Sequence, residues 1–434
     1  MKSAGILENI RAKRIRVGVI GLGYVGLPLV IRFAEEGFPV TGFDVDPVKI
    51  EKLSHGQSYI KHIPSEEIKA IQPKLALTTD MKKLGEVDAI LICVPTPLTA
   101  HREPDTSYLK KTAQDIQAVL RPGQIVSLES TTYPGTTREI YLVCFQETRL
   151  KVGEDYYLVY SPEREDPGNP QFQTKDIPKL VGGITSECTR VGAALYGSVV
   201  KQVIPVSSPE IAEASKLLEN IYRAVNIALV NELKLLLDRM GIDIWEVIEA
   251  AKTKPFGYQP FYPGPGLGGH CIPLDPFYLT WKAREYDFHT SFIELAGEIN
   301  TSMPYYVVEK TVEGLNQQGR SIKNSRILLV GIAYKKDVDD IRESPAFKIL
   351  KILRSKQARV DYYDPYVPAV ERTRQLPYPI YSVHFSSTVL KKYDAAIIVT
   401  NHSCIDYELL RRTLPLIVDT RNVYRRKYKN VVKA

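Results

Sequence analysis

Three glycines, Gly21, Gly23 and Gly26, follow the apolar run Ile15 to Ile20 and open the amphipathic run Leu27 to Glu36. Strand, glycine turn and helix in that order begin a parallel βαβ unit, which commits this part of the chain to a sheet with crossover helices. In such a turn Gly21 permits the tight bend. Gly23 lets a pyrophosphate approach bare backbone, Gly26 lets helix and strand pack closely, and Tyr24 and Val25 lie in the turn itself. The helix N-terminus then faces the anion. Val40 to Asp44 reads as the next strand, and Asp44 ends it where a carboxylate accepts from the adenosine ribose hydroxyls. Val45 follows, with no arginine for a 2′-phosphate, so the pattern favours NAD over NADP.

The alternation continues. Ala89 to Val94, Ile125 to Leu128, Tyr157 to Tyr160 and Lys179 to Val181 read as further strands, extending the sheet toward residue 205. Three polar segments sit at their carboxyl ends, where open α/β sheets bind ligands: Cys93-Val94-Pro95-Thr96-Pro97, Ser130-Thr131-Thr132 and Ser161-Pro162-Glu163. For the serines and threonines, helix capping explains the positions equally well. From Ser207 to Met240 the texture changes. Pro209 is the only proline and glycine is absent, while Leu217, Leu218, Ile221, Tyr222, Val225, Ala228, Leu229 and Leu233 recur at helical spacing. That predicts a long helix suited to a spine between domains or the seam of a homodimer, since its apolar positions exceed one core-facing stripe. Ser291 to Leu315 is a second helical stretch.

At Arg326 the α/β texture returns, with strands at Ile327 to Val330, Val360 to Tyr363, Ala395 to Thr400 and Leu416 to Asp419, and a helix at Ala346 to Arg354. The expected fold is α/β: two Rossmann-like domains with parallel sheets, joined by a long central helix and helical linker domain. The expected divisions are 1–206, 207–315 and 316–434.

Composition narrows the function classes. A formal net charge of +7 is concentrated at the two ends, from Lys2 to Arg16 and from Arg421 to Lys433. Without a recognition helix or RNA-binding motif, this fits solvated tails and cations facing anionic small molecules rather than nucleic acid. The five cysteines (93, 144, 188, 271, 404) form no C-x-x-C pair, which argues for a reducing compartment and against disulfides or zinc. No leader pattern and no run of 18 apolar residues is visible, so neither export nor a membrane span is expected, and the cytoplasm is.

Pro263-Gly264-Pro265-Gly266-Leu267-Gly268-Gly269-His270-Cys271 sets a thiol behind a glycine-rich loop, with Asp275 four residues on. A thiol where backbone approaches a ligand closely suits a nucleophile. His270 beside it has no second pair at zinc spacing, so no metal is expected. Lys216 and Asn220 lie four apart on one face of the long helix, with Glu213 one turn earlier. Together they are either a donor pair for a developing oxyanion or an exposed helix face. In the third segment Tyr334-Lys335-Lys336, Arg342 and Arg421 follow strand ends and suit a second anionic ligand.

The motifs G-L-G-Y-V-G, V-P-T-P, S-T-T-Y-P-G-T-T, S-P-E-R, the lysine and asparagine of A-S-K-L-L-E-N, G-G-H-C-I-P-L-D-P and D-D-I-R-E-S-P occur in order over essentially the whole chain. Together they resemble the UDP-glucose/GDP-mannose dehydrogenase family. The resemblance implies oxidation of a nucleotide sugar's C6 alcohol to a carboxylate with two NAD. Cys271 would trap the aldehyde, Lys216 and Asn220 would steady the C6 oxygen, and Asp275 would work with Lys216 through water. Thr131 and Glu163 would position water and substrate. It further implies NAD contacts from Gly21, Gly23, Tyr24, Val25, Gly26, Asp44, Pro95, Thr96, Ser130, Thr131 and Arg342. UDP-sugar contacts would come from Glu163, Arg164, Lys216, Asn220, Tyr262, Gly266, Gly268, Tyr334, Lys335 and Arg421. Arg164-Glu165-Asp166-Pro167-Gly168-Asn169 replaces the more apolar segment of the UDP-glucose enzymes, and its combination with Pro263-Gly264-Pro265-Gly266-Leu267-Gly268-Gly269-His270 before the cysteine and Pro276-Phe277-Tyr278-Leu279-Thr280-Trp281-Lys282 after it resembles the UDP-N-acetylglucosamine 6-dehydrogenases of bacterial polysaccharide synthesis. UDP-N-acetylmannosamine and UDP-N-acetylgalactosamine enzymes share parts of that pattern. A catalytically silent NAD-binding regulator and a two-electron hydroxyacid dehydrogenase are the rival readings. Both conflict with Cys271, and the second also with the third α/β segment.

Overall fold

Strands that are apolar on both faces must be covered on both sides, which calls for helices above and below a parallel sheet. The protein, seen in a computed structural model, is built this way; the structure describes residues 2–61, 63–99, 103–164, 174–269, 272, 274–372 and 376–434. It divides into two compact units, Met1–Glu219 with Phe277–His289, and Asn220–Pro276 with Thr290–Ala434.

Among the described residues of the first unit, eight strands form one sheet. They are β1 (Val17–Ile20), β2 (Val40–Phe43), β3 (Leu75–Thr78), β4 (Ala89–Ile92), β5 (Ile125–Leu128), β6 (Tyr157–Tyr160), β7 (Lys179–Gly183) and β8 (Val203–Val206), in the order 3-2-1-4-5-6-7-8. Neighbours are parallel except β6 and β7, where Val159 lies opposite Gly183 in antiparallel sense. That pair is a local antiparallel departure within the expected parallel sheet. Alternation along each strand splits the core in two. Val17, Val19, Ala89 and Leu91 join the helix Gly26–Glu35 through Leu27, Val30 and Phe33. Ile20, Ile90 and Ile92 join Leu109, Ala113 and Ile116 of the helix Ser107–Gln117 on the other face. Each such buried valine, leucine, isoleucine or phenylalanine contributes roughly 1.5–3 kcal/mol. The order reverses between β1 and β4, and this switch point is where ligands bind in open α/β sheets.

The second unit holds β9 (Arg326–Val330), β10 (Arg359–Tyr363), β11 (Ala369–Val370), β12 (Ile380–Tyr381), β13 (Ala395–Ile398), β14 (Ile417–Asp419) and β15 (Val431–Lys433). β11 and β12 form a small antiparallel pair, and the rest form a parallel sheet ordered 10-9-13-14-15. Its switch point lies between β9 and β13. The helix Pro209–Arg239 has 31 residues, and the helix Ser291–Gln317 carries Pro304 inside it. No helix among the described residues is long and apolar enough to cross a membrane.

Candidate active site

The glycine turn sits at the switch point of the first sheet. Gly21 stands at φ +90°, and a Cβ there would lie 2.5 Å from the carbonyl oxygen of Cys93 at the end of β4. Gly26 abuts the Gly21 carbonyl, whereas a Cβ on Gly23 would meet nothing within 4 Å. The turn is thus closed by its first and third glycines and open at its second, the place where a pyrophosphate would rest on backbone. Tyr24 and Val25 are half-buried beside it. The carboxylate of Asp44 accepts from Leu22 N–H (2.9 Å), Asp46 N–H (3.0 Å) and Lys49 Nζ (3.0 Å). A carboxylate has about four acceptor positions, so room for a ribose hydroxyl is left. Lys49 is a partner that sequence reasoning missed; only its place in the turn of the helix Pro47–Ser54 brings it back to Asp44. These residues fit NAD.

The strand ends beyond this turn are tied to one another. Ser130 donates from Oγ to the carbonyl of Val94 at 2.7 Å, joining the end of β5 to that of β4. Pro95 is exposed and Thr96 buried. The Thr96 carbonyl accepts from the hydroxyl of Tyr278. Thr131 is half-buried, and its hydroxyl makes no hydrogen bond among the described residues. The neighbouring hydroxyls of Thr132 and Ser161 are fully buried and find no partner among the described residues.

The long helix closes over these loops through two acids that flank Lys216. Glu213, fully buried, accepts from Gly135 N–H (2.6 Å), Thr137 N–H (2.9 Å) and Thr137 Oγ1 (2.7 Å). Burial pushes its carboxyl up to about 7 against those hydrogen bonds. Glu219 pairs with the Arg164 guanidinium at 2.7 Å, and that guanidinium also donates to the Pro178 carbonyl at 2.8 Å. The arginine therefore anchors its own loop, with Glu163 accepting from its N–H at 2.6 Å. Lys216, midway between the two acids on the helix, is only 6% exposed, yet its ammonium has no ion pair among the described residues. A buried cation without a counter-ion is costly, and an anionic or developing-oxyanion ligand would compensate it.

In the second unit, Asn220 donates to the buried Asp275 carboxylate and accepts from Arg223. The loop 263–269 is strapped down by amides. Gly264 N–H donates to Asn231 Oδ1 (3.0 Å), Asn231 to Asn300 Oδ1 (2.9 Å), and Asn300 to the Ala224 carbonyl (2.9 Å). This chain joins residues far apart in sequence, so no local pattern announced it. Gly264 makes room for Arg421, whose Nη1 would lie 2.7 Å from a Cβ there. Arg421 also donates to the Val399 carbonyl at 2.9 Å, and burial pushes its pKa down to about 10. Gly268 and Gly269 rest on Tyr334, and Gly269 N–H donates to the Arg342 carbonyl at 3.0 Å. Gly266 packs on Pro345. The Arg342 guanidinium pairs with Asp340 at 2.6 Å, and Lys335 is half-buried in the same loop. Tyr262 stacks on Trp245 at 5.6 Å and donates to Glu249 at 2.7 Å. His270, Cys271 and residues 165–169 lie outside the described residues.

Thus Thr131, Glu163, Arg164 and Lys216 gather in the first unit around the strand ends. Asn220, Asp275, Tyr262, Gly266, Gly268, Tyr334, Lys335, Arg342 and Arg421 belong to the second. A dinucleotide turn on one Rossmann-type sheet and strand-end cations on another define a pyridine-nucleotide dehydrogenase with a second nucleotide-binding domain.

Family models agree along the chain. The NAD binding domain of the UDP-glucose/GDP-mannose dehydrogenase family matches residues 15–200, its central domain 210–302 and its UDP binding domain 328–426. The chain is 35% identical over 393 residues to a UDP-N-acetyl-D-glucosamine 6-dehydrogenase of Pseudomonas aeruginosa, covering 90% of this chain and 91% of the relative. It is 34% identical over 420 residues to a UDP-N-acetyl-D-mannosamine dehydrogenase of Pyrococcus horikoshii, covering 94% and 96%. The solved structure of a UDP-D-ManNAc dehydrogenase from Pyrococcus horikoshii superposes with a TM-score of 0.87 at 32% identity, over 96% of this chain and 98% of that one. The chain belongs to the UDP-glucose/GDP-mannose dehydrogenase family. It is an oxidoreductase, an NAD-dependent UDP-sugar dehydrogenase.

Proposed function

We propose that the chain oxidises the C6 hydroxyl of UDP-N-acetylglucosamine to the carboxylate, making a uronic acid precursor for bacterial polysaccharide. The reaction removes two hydrides, each accepted by one NAD. Glu163, Lys216 and Asn220 bind and orient the sugar. Lys216 and Asn220 steady the C6 oxygen as charge develops on it, and Asp275 works with Lys216 through water in the proton transfer. The thiolate of Cys271 adds to the aldehyde carbon, giving a thiohemiacetal. Loss of the second hydride leaves a thioester, which a water molecule placed by Thr131 and Glu163 hydrolyses. The buried Lys216, which has no counter-ion among the described residues, carries this reading.

Residues 1–206 bind NAD, through the glycine turn, Asp44, Pro95, Thr96, Ser130 and Thr131, with Arg342 reaching the cofactor from the third segment. Residues 207–315 carry the cysteine loop and the dimer seam. Residues 316–434 hold the UDP moiety through Tyr334, Lys335 and Arg421, completed by Tyr262, Gly266, Gly268 and Arg164. The protein acts in the cytoplasm, where NAD is available, and works as a homodimer built on the long helix. Likeness to both N-acetylglucosamine and N-acetylmannosamine enzymes supports a 2-acetamido sugar. A pocket built for that amide leaves polar groups unpaired around a 2-hydroxyl, each costing roughly 1–3 kcal/mol. A panel of UDP-sugars at low concentration, read by NAD reduction, tests this. UDP-N-acetylglucosamine should exceed UDP-glucose by at least about tenfold in kcat/KM. Faster oxidation of UDP-glucose sinks the substrate, and faster oxidation of an epimer moves it to that epimer.

A further inference from the structure

A buried ion pair lies beneath the two loops that carry Thr131 and Glu163. Lys179, the first residue of β7, is 6% exposed, and its ammonium lies 2.6 Å from the fully buried carboxylate of Glu129. Glu129 is the residue after β5 and stands two before Thr131. The same ammonium donates to the carbonyl of Pro162, 3.3 Å away, next to Glu163 after β6. Tyr196, from the helix Ser186–Tyr196, hydrogen-bonds the other oxygen of Glu129 and Ser127 Oγ, the latter at 2.7 Å, with Lys179 5.0 Å from its ring. The charged and titratable groups facing Lys179 are thus Glu129 from just after β5, Glu163 from the loop after β6, Tyr196 from the helix and Cys93 from the end of β4. Burial pulls the lysine down, but Glu129 and Glu163 outweigh it and hold it above its ordinary value, so it is charged at neutral pH.

A buried ion pair is a poor choice for stability alone, since packed apolar residues of the same volume serve as well or better. Its value is geometric. We propose that Lys179 is a positioning residue for the oxidation: by binding Glu129 and the Pro162 carbonyl together, it fixes the distance between the Thr131 loop and the Glu163 loop. The inference rests on the proposed roles of Thr131 and Glu163. Neither Lys179 nor Glu129 touches NAD or sugar directly, whereas Thr131 and Glu163 do, so loss of the pair should lower turnover far more than it weakens binding.

The test uses the full chain with both charges removed, Lys179→Met with Glu129→Gln, so that no lone charge is left buried. We expect a folded protein whose NAD dissociation constant, by calorimetry, stays within threefold of the parent, with sugar KM similarly unchanged and kcat lowered at least tenfold. Parental kcat in that folded variant overturns the inference, and so does a fall in kcat matched by equal losses of NAD and sugar binding. Should the double variant not fold, Lys179→Arg keeps the charge but moves it. At least a threefold fall in kcat with NAD binding intact supports the proposal there, and parental kcat overturns it. Glu163→Gln, measured alongside, separates the two levels. Full activity in Glu163→Gln removes the role of Glu163 and the inference with it, whereas loss there with full activity in the double variant removes the inference alone.

Discussion

Glu213 couples the pH of the solution to the loop that follows Thr131. Burial holds its carboxyl near 7, above the ordinary 4.5, so between those values the native state keeps a proton that the unfolded chain has released. Stability from this group is therefore fully present below pH 4.5 and is lost as pH rises through 7, by roughly 3 kcal/mol in all. Glu213→Gln stays neutral throughout. It should melt somewhat lower, because an amide cannot accept from Gly135 and Thr137 equally well, but the difference from wild type should shrink as pH rises from 5 to 8. A difference that widens across that range contradicts the assignment. At Cys271 the consequence is chemical. A serine there is a far weaker nucleophile at neutral pH and a far poorer leaving group, so Cys271→Ser should lose four-electron turnover by several orders of magnitude. Product analysis for uronic acid checks it, and parental rates of acid formation would remove the thiol from the mechanism. The sequence made Cys271, Lys216 and Asp275 conspicuous because their neighbours are distinctive motifs. It left Lys49, Asn231, Asn300 and the Glu129–Lys179 pair unremarked, since each gains meaning only from a partner that the fold brings beside it.

At the scale of elements, the two sheets use the same device. Gly331 after β9 stands at φ +84° against Thr400 after β13, just as Gly21 after β1 stands at φ +90° against Cys93 after β4. Asp364 after β10 accepts from Ile332 and Ala333 N–H at 2.7 and 3.0 Å, as Asp44 after β2 accepts from Leu22 N–H. Any Cβ at either glycine is both strained and blocked by backbone. Gly21→Ala should therefore weaken NAD binding by at least about tenfold and leave UDP binding alone, while Gly331→Ala should do the reverse. Calorimetric titration with NAD and with UDP separates the two, and an equal effect of either substitution on both ligands would contradict independent sites. The central strands of both sheets were legible because they are continuous apolar runs between turn signals. The edge strands β3 and β15 were not. Leu75–Thr78 is partly exposed and Val431–Lys433 is half-buried, so neither shows the apolar continuity that marks a buried strand. The reversed pairing of β6 with β7 was equally hidden, since strand direction is set by the connection and not by the strand's own residues.

At the scale of the whole molecule, the helix Pro209–Arg239 carries more apolar surface than its own packing uses. Leu217, Ile221, Ala224, Ala228 and Val230 are buried. Ile211, Leu218, Tyr222, Leu229 and Leu236 are between 45% and 67% exposed. Their spacings of seven, four, seven and seven residues keep them on one side of the helix, the seam that a helix presents to another helix. A stripe of this length left to water exceeds the scattered exposed apolar residues that a monomer normally tolerates. A two-fold dimer, in which each copy lays this stripe against the same stripe of the other, removes it from water at both ends of one interface. The protein should therefore run as a dimer by light scattering at micromolar concentration. Replacing Leu218, Leu229 and Leu236 together with glutamate should shift it toward monomer, because like charges would then face each other across the two-fold axis. A wild-type monomer under those conditions refutes the assembly. A triple variant that remains dimeric places the interface elsewhere and leaves the stripe unexplained.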